Sequence, residues 1–361
     1  MRIQAAVCRG ADFPAIETLE LEPPRAGEIR VRLAAVGVCH TDIRVATRPM
    51  GPRPFVLGHE GAGVVEEVGE GVADLAVGDK VVMSFAFCGD CSACRRHAKA
   101  YCLECVPRNF GGSRPDGSSP LSSDGELIHG AFFGQSSFAT HAICEARHAV
   151  KVPDDIPLER LAPLGCGIQT GAGAVLNALK VGEGRSLAVF GAGSVGLSAI
   201  MAARAIGAGP IIAVDINPTR LALARELGAA EAIDPSKTDP VAAIISATDG
   251  GADFVLNTTD RLEVYQQGIA SLGAKGVFAF VTSPGGDLPL RLSDVMLHGQ
   301  SIRGVVQGDS EPREFIPHLI ELHRQGRFPL ERLITTYPFE RIAEAMHDSE
   351  TGKAIKPVLI F

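Results

Sequence analysis

Four cysteines, Cys88, Cys91, Cys94 and Cys102, form the pattern C-x2-C-x2-C-x7-C. Thiolates are soft ligands, and four of them so close in sequence can close one tetrahedral zinc shell. A closed four-sulfur shell has no position for a substrate, so such a site braces a loop instead of doing chemistry. An iron–sulfur cluster is the main rival, but the bacterial ferredoxin run has three residues, not seven, before its last cysteine. Unligated thiols are the remaining alternative. Cys8, Cys105 and Cys144 stand apart and read as small buried residues.

A second chemistry-bearing pattern is Gly191-Ala-Gly193-Ser-Val195-Gly196, which follows the apolar run Leu187 to Phe190 and leads into a helical stretch. In that context the first glycine makes a tight turn and the second admits a pyrophosphate. The third lets helix and strand pack closely, with the helix N–H groups facing the phosphates. Asp215 lies 19 residues after Gly196, at the end of the next strand. A carboxylate there accepts hydrogen bonds from the adenosine ribose hydroxyls and repels a 2′-phosphate, which favours NAD over NADP. Arg220, shortly downstream, is a second candidate cofactor contact that weakens that preference.

Three further potential ligands are dispersed in Gly37-Val38-Cys39-His40-Thr41-Asp42, Gly58-His59-Glu60 and Gly165-Cys166-Gly167. Taken singly, each is more often a packed core residue than a ligand. Together with the four-cysteine segment and the glycine motif, and in this order, they resemble the zinc-containing medium-chain alcohol dehydrogenases nearly end to end. Two cysteines and one histidine are the known catalytic zinc set of alcohol dehydrogenases. The roles of Cys39, His59 and Cys166 are therefore carried over from the family and do not follow from spacing.

The resemblance implies a mostly-β GroES-like catalytic domain and a doubly wound parallel-sheet (Rossmann) coenzyme domain. It implies two zinc ions per subunit, one catalytic and one structural, with NAD as coenzyme. Thr41 would take the alcohol proton, Asp42 would orient His59, and Glu60 would lie beside the metal and exchange with a ligand. Thr170 would sit at the nicotinamide, with His40 and Lys353 reaching the pyrophosphate. Arg44 is a departure: many relatives carry a histidine there to finish the proton relay, and a guanidinium stays protonated and cannot be its terminal base.

Phe133-Gly134-Gln135-Ser136-Ser137-Phe138-Ala139-Thr140 and the run Leu164 to Ala174 resemble the aryl (benzyl) alcohol dehydrogenase branch. They point to a primary aromatic or allylic alcohol oxidised reversibly to its aldehyde. A terpene alcohol such as geraniol or perillyl alcohol is the alternative within the family, and a glutathione adduct is a weaker one. The alternative from another class is a non-catalytic NAD-binding structural or sensor protein. A homodimer or homotetramer is a further family expectation.

These residues need elements to hold them. At 361 residues the chain suits two domains. Residues 1–154 show short apolar runs broken by Gly and Pro, which predicts mostly β structure, with the zinc lobe at 88–102 and a loop-rich insert at about 107–130. Residues 155–295 alternate strand and helix patterns, with strands near 187–190, 211–215, 230–233, 254–256 and 276–281. This is the signature of a parallel sheet covered by helices. Asn217-Pro218 and Asp239-Pro240 read as helix starts. Residues 296–361 return to a mixed pattern that completes the first domain, with a helix near 313–324 and a last strand at 357–361.

The net charge of −8 carries no basic stripe, which excludes a nucleic-acid footprint and makes a zinc ribbon of that kind a poor reading. The uncharged stretch 186–203 is long enough to span a bilayer, but its glycines and serines read as strand, turn and buried helix. No signal-peptide pattern opens the chain, and a small-molecule partner, no membrane and a cytoplasmic location are expected.

Overall fold

The computed structural model describes residues 1–48 and 50–361. The chain forms two compact units: one of Met1–Cys166, Glu311–Ile320 and Leu330–Phe361, the other of Gly167–Ser310 and Glu321–Pro329. The chain therefore leaves the first unit after Cys166 and returns at Glu311, later at both points than the sequence boundaries of 154/155 and 295/296.

The first unit is built on two sheets. The larger runs, strand by strand, Ala149–Lys151, Lys80–Met83, Gly61–Val68, Glu28–Gly37, Lys356–Ile360 and Ile334–Pro338, with His141–Glu145 also paired to Glu28–Gly37. Glu28–Gly37 alternates apolar and polar residues, and Ile29, Val31 and Leu33 are buried while Arg32 is exposed, as the two-residue repeat of a strand requires. The final strand, Lys356–Ile360, starts one residue ahead of the expected 357–361. It pairs antiparallel with Glu28–Gly37, Val358 facing Gly37. The C-terminus thereby stands directly beside the segment that leads into Cys39.

The smaller sheet has the order Phe55–Val56, Arg2–Cys8, Ala15–Leu21, Leu121–Ser123 and Glu126–Ile128. Its last two strands correct the expectation of a plain loop at 107–130. Asp124, in the left-handed region, and Gly125 turn the chain so that a hairpin forms and extends the sheet. The base of this insert is fixed by Arg114, whose guanidinium grips the nearly buried Glu28 carboxylate with two hydrogen bonds, at 2.7 and 2.9 Å.

The second unit contains a six-stranded parallel sheet in the order Glu231–Ile233, Ile211–Val214, Leu187–Phe190, Ala252–Asn257, Leu272–Phe280 and Ser301–Gly304. This is the doubly wound order, with its switch point between Leu187–Phe190 and Ala252–Asn257. Both expected helix starts are present: the Asn217 side chain accepts from the backbone of Thr219 and Arg220, and Asp239 accepts from Val241. The 186–203 stretch is indeed a buried strand, a turn and the helix Ser194–Ala205. Among the described residues no helix is long and apolar enough to cross a membrane.

The sixth strand is the one the sequence reading missed. Ser301–Gly304 is exposed at every position and forms one edge of the sheet, so it carries no alternating apolar pattern that would announce it. The helix Leu292–His298 just before it exposes Leu292, Met296 and Leu297.

His148 secures the start of the cysteine lobe. Its buried ring places Nε2 3.1 Å from the Phe87 amide and 3.0 Å from the Phe87 carbonyl. Burial is the main cause that lowers its pKa, from 6.5 to about 4. The folded state therefore resists a proton that the unfolded chain accepts. The stability this contributes is complete above about pH 6.5 and is lost as pH falls toward 4, by about 3 kcal/mol. In chemical denaturation, H148Q should lose less stability over that pH range than the wild type, by about that amount.

Candidate active site and metal centres

The segment Val38-Cys39 follows the core strand Glu28–Gly37 and leads into the helix His40–Thr47, with Cys39 as its N-cap. The helix brings Asp42 one turn back over its own start, and the fully buried Asp42 carboxylate becomes the centre of the site. One oxygen accepts the Cys39 amide at 2.9 Å; the other accepts the Gly58 amide at 3.1 Å and lies 2.9 Å from His59 Nδ1. One anion thus joins two loops and fixes the imidazole. Gly58 can take this path because its φ of +89° and the closeness of the Phe138 backbone exclude a side chain.

The other nitrogen of that ring, His59 Nε2, is buried and has no hydrogen-bond partner among the described residues. An orphaned buried nitrogen is costly, and here it faces other ligand atoms. Those of Cys39, His59, Glu60 and Cys166 all lie within 4.8 Å of one another. Cys166 comes into place where Ser84 Oγ donates to the Gly165 carbonyl at 2.8 Å. Two sulfurs, an imidazole nitrogen with nothing else to bind, and an oriented second nitrogen are a donor set that fits zinc.

Electrostatics prepare the set for a cation. The hydrogen bond from Cys166 pulls Cys39 well below the usual thiol range against the effect of burial, with His59 and Lys356 helping. Cys166 is pushed in the opposite direction by the same hydrogen bond and by burial. Burial disfavours a charged His59, but Asp42 outweighs it and raises the imidazole to about 10. Metal binding must therefore displace protons, as is general for thiol and imidazole sites.

Glu60 points to the same centre but is held by Lys356. The ammonium, 1% exposed, lies 2.9 and 3.0 Å from the two carboxylate oxygens of Glu60, which is 0% exposed, and donates to the Val38 carbonyl at 3.1 Å. Burial lowers the tendency of Lys356 to hold its proton, but the Glu60 charge more than restores it. Burial raises Glu60, and Lys356 opposes that rise. Removing one member of such a pair typically costs about 3–5 kcal/mol, because a buried charge is left uncompensated.

Lys356 was not among the expected site residues. Its signal was a lysine inside an otherwise apolar strand. Gln135, also missed as a site residue, accepts from Gly61 N and donates to the His59 and Ser84 carbonyls. The aromatic surroundings of His59 lie at the start of the branch-like segment and just before it: Phe133 stacks on the imidazole at 4.4 Å and Phe132, one residue ahead of the segment, meets it edge-on at 5.4 Å. Phe133 adopts φ 50°, ψ 30°, a conformation rare for a bulky residue and typical of functional sites.

The remaining residues of this unit are placed as follows. Thr41 Oγ1 is 3.8 Å from Cys39 Sγ. His40 is exposed at the first position of its helix, and Arg44 is half-buried one turn on. Lys353 is exposed and paired with Asp348 at 2.9 Å.

The four cysteines of the lobe converge. Cys88 and Cys94 sulfurs are 3.9 Å apart, and Cys91 and Cys102 sulfurs 4.0 Å. A tetrahedron with zinc–sulfur bonds of about 2.3 Å has sulfur–sulfur edges of about 3.8 Å. Backbone amides of Cys88, Cys91, Cys94, Leu103 and Glu104 point at these sulfurs, at 3.3 to 3.5 Å, which stabilises negative charge on thiolates. The lobe fits a structural zinc.

In the second unit, Gly191 has φ +91°, and a β-carbon on Gly196 would lie 1.8 Å from the Gly191 carbonyl oxygen, so the turn requires both glycines. Gly193 caps the helix Ser194–Ala205 and has open space where a side chain would stand; Val195 is half-buried in the first turn. Asp215 is nearly buried and accepts from the Ala192 amide at 2.6 Å and the Asn217 amide at 2.8 Å. It thereby ties the glycine turn to the end of the neighbouring strand. Arg220 has a buried Nε without a partner among the described residues. Thr170 is buried on the helix Gly167–Gly173.

Comparison with known proteins agrees with this anatomy. Residues 25–154 match the alcohol dehydrogenase GroES-like domain, and residues 194–323 match the zinc-binding dehydrogenase domain. The chain is 48% identical to geraniol dehydrogenase of Castellaniella defragrans, over 99% of this chain and 97% of the relative. The crystal structure of an alcohol dehydrogenase zinc-binding domain protein from Burkholderia ambifaria superposes with a TM-score of 0.98 at 49% identity, covering 100% of this chain and 99% of that one. Benzyl alcohol dehydrogenase of Acinetobacter calcoaceticus gives 0.96 at 45%, with the same coverage. The chain belongs to the zinc-containing medium-chain alcohol dehydrogenases, with a GroES-like domain and a Rossmann domain.

The Asp42 hub makes a direct prediction. D42N keeps the size of the side chain but removes the charge that fixes His59, and should weaken zinc binding about 10–100-fold. Chelator competition on the purified protein measures this.

Proposed function

We propose that this alcohol dehydrogenase oxidises a primary alcohol whose hydroxyl-bearing carbon adjoins a π system, benzylic first and allylic second, to the aldehyde, reversibly and with NAD. The observation that carries the enzymatic reading is the buried Cys39, His59 and Cys166 set with its orphaned imidazole nitrogen. A protein that merely bound a nucleotide would have no need of it. Phe132 and Phe133, packed on the His59 ring, support a flat, unsaturated substrate, as do the names of the geraniol and benzyl alcohol dehydrogenase relatives.

In this reading Cys39, His59 and Cys166 hold the catalytic zinc, and Cys88, Cys91, Cys94 and Cys102 the structural one. Bound zinc supplies a Lewis acid that lowers the pKa of an alcohol hydroxyl. Thr41 accepts the alcohol proton at Oγ1 as it passes its own hydroxyl proton outward to the coenzyme ribose hydroxyls and water, Asp42 keeps the His59 ring oriented, and Glu60 remains beside the metal set. Arg44, a guanidinium, is given no place in that relay. The unit Gly167–Ser310 with Glu321–Pro329 is the coenzyme domain. There Gly191, Gly193, Val195 and Gly196 form the pyrophosphate turn and Asp215 selects NAD through the ribose, with Arg220 and Thr170 as further contacts. His40 and Lys353 are assigned to the pyrophosphate on family position alone. Nine cysteines with no disulfide among the described residues suit a reducing, cytoplasmic setting.

The subunit is proposed to be a homo-oligomer. The exposed edge strand Ser301–Gly304, with Leu292, Met296 and Leu297 exposed nearby, supports this, since bare edges and apolar patches are normally covered. Sedimentation should show a dimer or tetramer, and I302K should shift it toward monomer. A wild type that is monomeric at micromolar concentration would overturn the proposal.

NADH formation from benzyl alcohol, geraniol, ethanol and hydroxymethylglutathione tests the substrate. Benzyl alcohol or geraniol should exceed ethanol by at least tenfold in kcat/KM, and C39S should abolish turnover. Preference for ethanol would discard the substrate class. Failure to turn over any of the four, with zinc and NAD bound, would support the sensor reading.

A further inference from the structure

Lys356 is a buried cation whose three acceptors all belong to residues adjoining the metal set. It donates to the carbonyl of Val38, which precedes Cys39, and to both oxygens of Glu60, which follows His59. Its place is fixed by the strand Lys356–Ile360, and its own amide donates to Leu333 at 3.1 Å. The Glu60 carboxylate belongs to the same four-residue cluster as Cys39, His59 and Cys166. The site therefore contains one more potential ligand than an open three-ligand centre uses. The fold also makes room for that carboxylate on the lysine side. A β-carbon on Gly37 would lie 2.0 Å from a Glu60 oxygen, and the Gly37 amide donates to the Glu60 carbonyl at 3.0 Å.

We infer that Lys356 is a positioning residue that keeps the Glu60 carboxylate off the catalytic metal, so that the fourth coordination position stays available to substrate. This rests on the assignment of Cys39, His59 and Cys166 as ligands. Lys356 and the metal position compete for a single buried anion. The ammonium of Lys356 and the metal position are both cationic partners within reach of Glu60, and His59, a further positive neighbour, gives up its proton when it binds metal. A carboxylate with 0% exposure cannot turn to water instead. While Lys356 is present, both carboxylate oxygens are engaged by it. Without it, the metal becomes the compensating charge and Glu60 its fourth protein ligand, which gives the closed coordination of a structural site. The pairing thus bears on whether the centre is open or closed, a property that the identity of the three ligands alone does not determine.

The test uses the full-length protein with cobalt(II) in place of zinc, because visible cobalt bands report on coordination. Imidazole is the probe for an open position; being uncharged at high pH, it is insensitive to the loss of the lysine charge itself. Imidazole should shift the wild-type spectrum saturably. In K356M its affinity should fall at least tenfold, and in K356M/E60Q it should return to within about twofold of wild type. The rescue separates positioning from general damage, since the double variant lacks the lysine too. K356Q, which keeps a donor for Val38, replaces K356M if the latter does not fold. Unchanged imidazole affinity in the single variant, or a double variant as weak as the single one, would overturn the inference. Wild-type protein whose Cys39, His59 and Cys166 take up no cobalt would instead remove the ligand assignment beneath it.

Discussion

The site depends on one buried carboxylate. Asp42 is fully buried, and its two oxygens satisfy the amides of Cys39 and Gly58 and the Nδ1 side of His59. Two segments of backbone and one ring converge because an anion in a low-dielectric interior must be surrounded by donors. Once they converge, His59 has only one nitrogen left, and that nitrogen is directed at the two sulfurs. The ligand set is therefore defined as much by the group that touches no metal as by the groups that would.

Around this hub the first unit spends its buried polar groups in a consistent way. Gln135 fixes the carbonyls of His59 and Ser84, Ser84 fixes Gly165, and Lys356 fixes Val38 and Glu60. Each of these side chains holds the backbone immediately beside a proposed ligand. Such preorganisation keeps a metal site's geometry from being set by the metal alone. The same logic recurs in the second unit, where Asp215 holds the Ala192 amide inside the glycine turn.

Much of this was legible in the sequence because it is local. The four lobe cysteines span a short segment, the glycine turn lies between a strand and a helix, and the Asn217-Pro218 and Asp239-Pro240 caps act on the next few amides. The convergence of the dispersed candidates was legible only through resemblance, since nothing in the spacing of Cys39, His59 and Cys166 brings them together. What escaped was nonlocal or patternless. The partner of Lys356 is 296 positions away in the chain. The edge strand Ser301–Gly304 buries no face, and the hairpin at 121–128 is too short for its alternation to stand out from a Gly- and Ser-rich loop. The later return to the first unit has a similar origin, for the sixth strand carries the second unit past the point where helical alternation ends.

The cysteine lobe also bears on how the protein ages. Its sulfurs stand 3.9 and 4.0 Å apart in pairs, and only a modest approach separates that spacing from the roughly 2.05 Å of a disulfide. Burial pushes Cys88 and Cys94 up, but the Cys94 and Leu103 amides lower Cys91 to about 6, and the thiolate is the form that oxidants attack. Zinc occupies the electron pairs that would react, so in the lobe the metal serves as a protecting group as well as a brace. The working lifetime of the lobe then depends on metal supply and oxidant exposure as well as on folding.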